Sequence, residues 1–458
     1  MTRSYWLDDA LAAEDLVPGR LALREHVRAD VCIVGGGYTG LWTAIELKRR
    51  DPSLDVVLVE ATVCGAGASG TNAGIAMNLW PKLSALVAAG GRSEALMVAR
   101  ASVGAVDHLV EFCADHDIDA QVERSGWLWA STNSSQDGAW DEAVGAAQEY
   151  AGSPFRVLDA AAASERAGTA VRGGVLDPTC AHLHPGRLVR GLARAAEAAG
   201  VRIHERSPMQ GLGDTAGDPV VRTADGSVRA SSVVLAINAW ASRYREFRRH
   251  LVMTASDNLV VEPVPGGPRP EHASVSDSGR MLDYWRPLAD GKVLFGKAGL
   301  GLGFGRRGAT TLFGPVPRLG RLRRQLGTAV PALAGAPVVS SWRAPVEYSL
   351  SSLPFFTALS GHPRVFCGTG YSGDGVGPSV LGGRILAGLA TGVEDELSTS
   401  FLTRAPTGRG LPPEPFRFLG GQAVKVAYLR RDRLEDAERP IGPVTRAVTR
   451  IDPTSFVG

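Results

Sequence analysis

The chain has 458 residues, enough for two or three domains around a large buried core. Hydrophobic residues make up 44% and charged residues 21%, and a net charge of +2 offers no basis for a nucleic acid or an anionic membrane as partner. Every apolar stretch is broken by Arg, Asp or Gly well before the roughly eighteen residues that a membrane span needs.

In chain order, residues 1–27 read as an irregular arm. Asp8, Asp9, Glu14 and Asp15 stand where an export signal would need a positive end and an apolar run. Residues 29–34 form a short apolar strand, and Gly35-Gly36-Gly37-Tyr38-Thr39-Gly40 follows. Leu41, Ala44, Ile45 and Leu47 then recur at helical spacing. Asp51-Pro52-Ser53 stops that helix, and residues 55–60 form the next strand, completing a unit the size of a βαβ crossover. Residues 77–170 are Ala-rich and mostly helical in pattern, with Trp127 and Trp129 on one face of a buried strand. A helix over 185–199 ends at Gly200, a strand follows at 201–205, and Ala224-Asp225-Gly226-Ser227 signals a hairpin. Residues 233–237 are another apolar strand. Residues 250–345 are strand-rich, with a turn at Ala289-Asp290-Gly291 and a basic helix around 317–326. Residues 365–367 run into a glycine loop and a helix over 378–389. An amphipathic helix over 420–438 carries Val424, Ala427, Tyr428 and Arg431.

The expected fold class is α/β, a discontinuous Rossmann-like domain with a second α+β domain that holds the substrate. Residues 28–76, 171–245 and 346–395 make up the first, and residues 77–170 and 246–345 the second. Residues 1–27 precede them as the arm, and 396–458 follow as a C-terminal extension. Cys32, Cys64, Cys113, Cys180 and Cys367 are scattered and odd in number, which fits neither a disulfide framework nor a zinc site. The expected compartment is a reducing one, the cytoplasm.

The 56 glycines are clustered directly after apolar runs, the pattern of backbone brought close to a ligand. Gly35-x-Gly37-x-x-Gly40 follows a strand and opens a helix, the context of a dinucleotide fingerprint. The first glycine makes the turn, the second admits a pyrophosphate and the third lets helix and strand pack. Tyr38 and Thr39 begin the helix, whose free N–H groups face the phosphates. Glu60 ends the second strand, where its carboxylate can accept ribose hydroxyls. These residues alone leave NAD and FAD unseparated.

The second cluster separates them. Gly65-Ala66-Gly67-Ala68-Ser69-Gly70-Thr71-Asn72-Ala73-Gly74 follows the ribose strand, a place where nicotinamide enzymes have no general need of small residues. The third cluster is Gly368-Thr369-Gly370-Tyr371-Ser372-Gly373-Asp374-Gly375-Val376-Gly377-Pro378. With these motifs the chain resembles the FAD-dependent D-amino-acid oxidase superfamily, in the branch of glycine, sarcosine and γ-glutamylputrescine oxidases. The resemblance covers residues 25–395 and lies in the glycine motifs. It implies an FAD-binding first domain held by Gly35, Gly37, Tyr38, Thr39, Gly40, Glu60, Ala68, Ser69, Thr71, Asn72 and Gly74. Gly370, Tyr371, Ser372, Gly373, Asp374, Gly375 and Val376 complete that set. Pro378 starts a helix whose positive end favours reduced flavin.

Two departures stand out. Asp374 occupies a position where sarcosine-oxidase-like relatives often place His, and a carboxylate facing reduced flavin opposes its charge unless it is protonated, turned away or paired with Arg. Residues 341–348 contain no Cys to anchor flavin, so the FAD is expected to be noncovalent.

The resemblance implies hydride removal from the carbon beside an amine, followed by hydrolysis of the imine. The partners expected are a small amine or amino-acid-like substrate and O2 as acceptor, with no nucleic acid and no membrane span. An FAD-linked dehydrogenase using a quinone or protein acceptor, and a non-catalytic flavin-binding assembly factor, remain open beside it. Substrate candidates are Arg286 in Tyr284-Trp285-Arg286, as a carboxylate or phosphonate partner, and Tyr371 within the third loop. Trp342, Arg343 and Tyr348 stand as pocket walls. For Arg286 an ordinary ion pair is the competing reading. Asn72 and the run Met77-Asn78-Leu79-Trp80 stand as cover for the flavin face, with Trp80 as ordinary core the alternative. His182 and His184 alternate on one face but lack a third ligand nearby, which disfavours a metal.

Overall fold

The computed structural model describes residues 4–14, 20–150, 152–215, 217–305 and 308–450. Residues 1–3 and 15–19 of the expected arm, and 451–458 of the expected extension, lie outside these. The chain opens with helix α1 (Tyr5–Ala13), strand β1 (His26–Val34), α2 (Tyr38–Arg50) and β2 (Val56–Val59). A short β3 (Ile75–Ala76), α3 (Leu83–Asp115), β4 (Trp127–Ser131), α4 (Asp141–Gln148), β5 (Arg156–Leu158) and α5 (Ala160–Ala167) come next. After them run β6 (Gly173–Asp177), β7 (Ala181–His182), α6 (Pro185–Ala198), β8 (Arg202–His204), β9 (Gly211–Thr215), β10 (Asp218–Arg222) and β11 (Ser227–Leu235). The middle of the chain holds α7 (Arg245–Arg248), β12 (Leu251–Val261), β13 (Ser274–Asp277), β14 (Asp283–Pro287), β15 (Val293–Leu302), α8 (Gly308–Thr311) and α9 (Leu319–Ala329). It closes with β16 (Val338–Ser349), β17 (Phe355–Leu359), β18 (His362–Thr369), α10 (Pro378–Thr391), α11 (Phe416–Asp436) and α12 (Pro443–Val448).

The first sheet runs β17-β18-β11-β1-β2-β8, parallel from β18 to β8, with β9 and β10 as an antiparallel extension of β11. Strand β2 and the last four residues of β1 are wholly buried, as a central parallel strand covered on both faces must be. Val31, Ile33, Val56 and Leu58 meet the helices α2, α3, α6 and α10 on one face. Cys32, Val34, Val57 and Val59 face Phe247, Leu251 and Met253 on the other. The second sheet runs β16-β12-β15-β14-β13-β4-β6-β5, antiparallel except where β13 joins β4. Leu259, Trp285 and Phe295 of that sheet bury Leu322 and Leu326 of the basic helix α9. The rings of Trp127 and Trp129 stack on β4, 5.9 Å apart.

The structure departs from the sequence expectations in three places. The arm contains α1, capped by the Ser4 hydroxyl and buried through Trp6, Leu7 and Ala10 against α6. Helix α3, expected in the substrate half, packs on α10 and shares the core of the first sheet. Strand β6, expected in the nucleotide half, belongs to the second sheet. Ala-rich and short apolar segments suit either layer, so composition does not choose between them. Among the described residues, no helix is long and apolar enough to cross a membrane.

Candidate functional site

The parallel strands β1, β11 and β18 end at one edge, where α2 and α10 lie side by side with their N-termini in the same region. Ligands of open α/β sheets bind outside such carboxyl ends. Here the cleft encloses about 1590 Å³ of space between protein atoms, part of it open to solvent, and the second sheet forms its far wall.

Gly35 takes φ +112, a left-handed turn that a side chain strains, and a Cβ on Gly40 would collide with the Gly35 carbonyl. Gly35, Gly37, Tyr38, Thr39 and Glu60 line the cleft, while Gly40 packs helix to strand. The Glu60 carboxylate accepts from Gly36 N at 2.8 Å and Thr62 N at 2.9 Å. Burial nevertheless pushes its carboxyl up.

The second loop supplies Ala68, Ser69, Thr71 and Asn72 to the wall. Ser69 Oγ accepts from Tyr38 N at 2.8 Å, tying the first two glycine loops together. Asn72, expected over the flavin face, spends its side chain on the loop itself. Its amide donates to Ala68 O and Ser69 O, and its Oδ1 accepts from Gly74 N at 2.7 Å. Trp6 and Trp342 brace the same loop from outside, donating to Asn72 O at 2.9 Å and Thr71 O at 2.8 Å.

From the third loop, Tyr371, Gly373, Gly375 and Val376 line the cleft, whereas Gly370, Ser372 and Asp374 stand behind them. Ser372 Oγ accepts from Ser349 N at 3.0 Å and donates to Gly370 O. The Tyr371 hydroxyl meets Thr39 Oγ1 at 2.7 Å, and burial raises its phenol, so it bridges the first and third loops. Asp374 is paired, with Lys82 instead of an Arg: Lys82 Nζ lies 2.7 Å from its Oδ2 and also donates to Ser352 O at 3.0 Å.

Both arginines expected at the substrate are committed elsewhere. Arg286 is 3% exposed, points under the second glycine loop and is absent from the cleft wall. Its three donor nitrogens bond Ala73 O at 2.5 Å, Leu183 O at 2.6 Å and Pro287 O at 3.2 Å, and its guanidinium stacks 5.0 Å over Trp6. Burial lowers it to about 9. Arg343 forms a bidentate pair with Asp257 at 2.5 and 2.8 Å. Trp342 is buried and Tyr348 half-buried beside the wall, and β16 instead offers Ala344, Pro345, Val346 and Glu347. Asn78 turns into the core, donating to Asp177 at 2.7 Å, and Trp80 is 1% exposed. His184 caps α6 by accepting from Arg187 N, and His182 lies between Ser125 and Ser274 at 3.1 Å from each.

Sequence reading missed a polar group on the second sheet. Tyr284 OH lies 2.5 Å from Ser256 Oγ and donates to Asn258 Oδ1 at 2.7 Å, with all three residues on the cleft wall. It also missed Glu347, 2% exposed, whose Oε1 accepts from Tyr371 N at 3.2 Å and whose carboxyl burial raises to about 7. Alternation along β12 puts Ser256 and Asn258 on one face with Tyr284 of β14, whereas Glu347 pairs with Met253 on the other face of the sheet and meets the third glycine loop; only the sheet order shows what each faces.

The residues fit a flavin dinucleotide. Glu60 waits at one end, glycine loops approach along the middle, and Asn238 Oδ1 on the wall is buried without a hydrogen-bond partner among the described residues.

Comparison with known proteins agrees with that fit. The family described as FAD dependent oxidoreductase matches residues 30–389. Gamma-glutamylputrescine oxidoreductase of Escherichia coli (strain K12) is 30% identical over 433 residues, covering 90% of this chain and 95% of that protein. Glycine oxidase of Pseudomonas putida is 26% identical over 392 residues, covering 83% and 99% respectively. Among solved structures, glycine oxidase from Geobacillus kaustophilus superposes with a TM-score of 0.67 at 22% identity, over 84% of this chain and 100% of that one. L-proline dehydrogenase from P. horikoshii superposes with a TM-score of 0.66 at 17% identity, over 81% and 96%. At these identities the superpositions speak for the fold alone.

Proposed function

The chain belongs to the FAD dependent oxidoreductase family, and from that premise we propose that it oxidises the carbon–nitrogen bond of an amine or amino-acid-like substrate and passes the electrons to O2. The observation that carries this reading is the single cleft in which three glycine loops meet the Tyr284–Ser256–Asn258 group of the second sheet. One wall is built for a dinucleotide and the other for a small polar molecule. FAD held noncovalently supplies a hydride acceptor, its N5, after which the imine hydrolyses to a carbonyl compound.

The chain's own residues position and exclude. Gly37 and the N-terminus of α2 receive the pyrophosphate, Glu60 the ribose, and Tyr371 keeps the first and third loops in register through Thr39. Ala344, Pro345 and Val346 keep water from the reacting carbon. The relatives named above support the substrate class: one is called a gamma-glutamylputrescine oxidoreductase and the other a glycine oxidase.

The test is the anaerobic visible spectrum of the purified protein as pools of amines, amino acids and aminophosphonates are added. At least one pool bleaches the flavin bands, and admitting air restores them. A yellow protein that no pool bleaches overturns the substrate class, and reduced flavin that persists in air overturns O2 as acceptor.

The Lys82–Asp374 pair gives a second expected result. Lys82→Met leaves a carboxylate beside the cleft without its cation. The charge of reduced flavin is then opposed, and the midpoint potential falls by about 30 mV, the two-electron equivalent of about 1.4 kcal/mol. Adding Asp374→Asn restores it. Spectroelectrochemical titration of the three proteins reads the shift, and an unchanged potential in Lys82→Met removes the pair from any electrostatic role.

A further inference from the structure

We propose that helix α1, which lies ahead of the residues 30–389 of the family match, completes the cofactor site. Its Trp6 turns one peptide of the second glycine loop so that the Ala73 N–H is left as a donor to FAD. This rests on FAD lying in the cleft and is independent of the substrate that FAD oxidises.

The carbonyls of residues 70–73 are all held from behind the loop. Ser4 Oγ donates to Gly70 O, Trp342 Nε1 to Thr71 O at 2.8 Å, Trp6 Nε1 to Asn72 O at 2.9 Å and Arg286 Nε to Ala73 O at 2.5 Å. In a trans peptide the N–H points opposite to the carbonyl of the same plane, so each donor turns one N–H away from itself. Three of those four N–H groups are spent inside the loop. Thr71 N donates to Ala68 O at 3.3 Å, Asn72 N to Ala68 O at 3.1 Å and Gly74 N to Asn72 Oδ1 at 2.7 Å.

The fourth, Ala73 N, has no acceptor among the described residues. It belongs to the peptide that Trp6 holds. Asn72, the other half of that peptide, lines the cleft, whereas Trp6 stands behind the loop. A backbone donor left open beside a ligand cleft is a group that the ligand satisfies. The flavin edge carries carbonyl oxygens and ring nitrogens as acceptors. Reduced flavin is the more electron-rich form, so a fixed donor there is worth more after reduction than before it.

Trp6 is suited to fix that peptide. It is 1% exposed, Arg286 lies 5.0 Å over its ring, and Trp342 and His184 meet it edge-on at 6.2 and 4.9 Å. Helix α1 is in turn anchored on α6. Gly186 makes room there for the Trp6 carbonyl, Arg187 pairs with Asp9 at 2.9 Å and Arg190 with Glu14 at 2.6 Å.

The test is spectroelectrochemistry of the FAD-loaded full chain, which needs no substrate. Trp6→Phe keeps most of the ring packing but loses the donor, so the Asn72–Ala73 peptide can turn. Preference for reduced over oxidised FAD is expected to fall at least about fivefold, which places the midpoint potential about 20 mV more negative. Trp342→Phe is the matched control. It removes the same kind of donor from the preceding peptide, whose N–H is already spent on Ala68 O, so it lowers the melting temperature without moving the potential. An unchanged potential in Trp6→Phe, or an equal shift in Trp342→Phe, overturns the positioning role and leaves both residues as packing.

Hydrogen exchange of the wild-type chain reads the same coupling without a substitution. Because linkage is reciprocal, FAD is expected to slow exchange of the α1 amides at least about fivefold more than those of α9, which lies on the outer side of the second sheet. Exchange in α1 that FAD does not slow overturns the proposal. A wild-type chain that takes up no FAD overturns instead the cofactor assignment on which it rests.

Discussion

Gly37→Val is expected to purify as a folded but colourless protein. A Cβ at Gly37 would sit 2.9 Å from Ser69 Oγ, the atom that accepts from Tyr38 N and joins the first two glycine loops. The valine branches then occupy the space where backbone must approach a pyrophosphate, at the mouth of α2. Strand β1 and helix α2 lie behind this point in a core that the substitution does not enter, so circular dichroism stays near wild type. FAD affinity falls at least about a hundredfold, on the order of 2.7 kcal/mol. Flavin absorbance after gel filtration with excess FAD measures it, and full occupancy would contradict the assignment of the cleft to the dinucleotide.

Arg286→Ala carries the second large effect, and its expected character differs from that of a substrate-binding residue. The guanidinium satisfies three carbonyls drawn from the second glycine loop, the entry to α6 and its own strand, and it covers the face of Trp6. Removing it leaves those buried acceptors without donors, at about 1–3 kcal/mol for each that water does not reach. It also opens a cavity beneath the loop that Trp6 and Trp342 brace. Thermal unfolding moves down by several degrees, and FAD is lost more readily on dilution because Ala73 belongs to the cofactor wall's own loop. A variant of normal melting temperature and FAD retention but raised KM would return Arg286 to the substrate.

This arginine shows where sequence reading stops. The Tyr284-Trp285-Arg286 stretch identified a strand before a turn, and β14 is there. Which face Arg286 takes, however, depends on the position of the second glycine loop, more than two hundred residues earlier in the chain. Asp374 makes the same point: its position left it protonated, turned away or paired with an Arg, and the tertiary structure pairs it with Lys82 from the turn before α3.

What the sequence determined by itself is local and covalently close. Gly35 and Gly37 lie in the turn between β1 and α2, Gly40 in the first turn of α2, and Glu60 follows directly after the next strand. Backbone sterics and helix geometry therefore dictate their roles over a short span. The other two glycine loops are legible for the same reason. Only the tertiary structure decided the opposite wall, where β12 and β14 place Ser256, Asn258 and Tyr284 together and β16 lays Ala344 beside Ser256, across almost ninety residues of chain. Each of those strands alternates acceptably without its neighbours. Sheet order and register, set by long-range pairing and burial, determine which polar side chains share the cleft and which arginines are consumed in holding it.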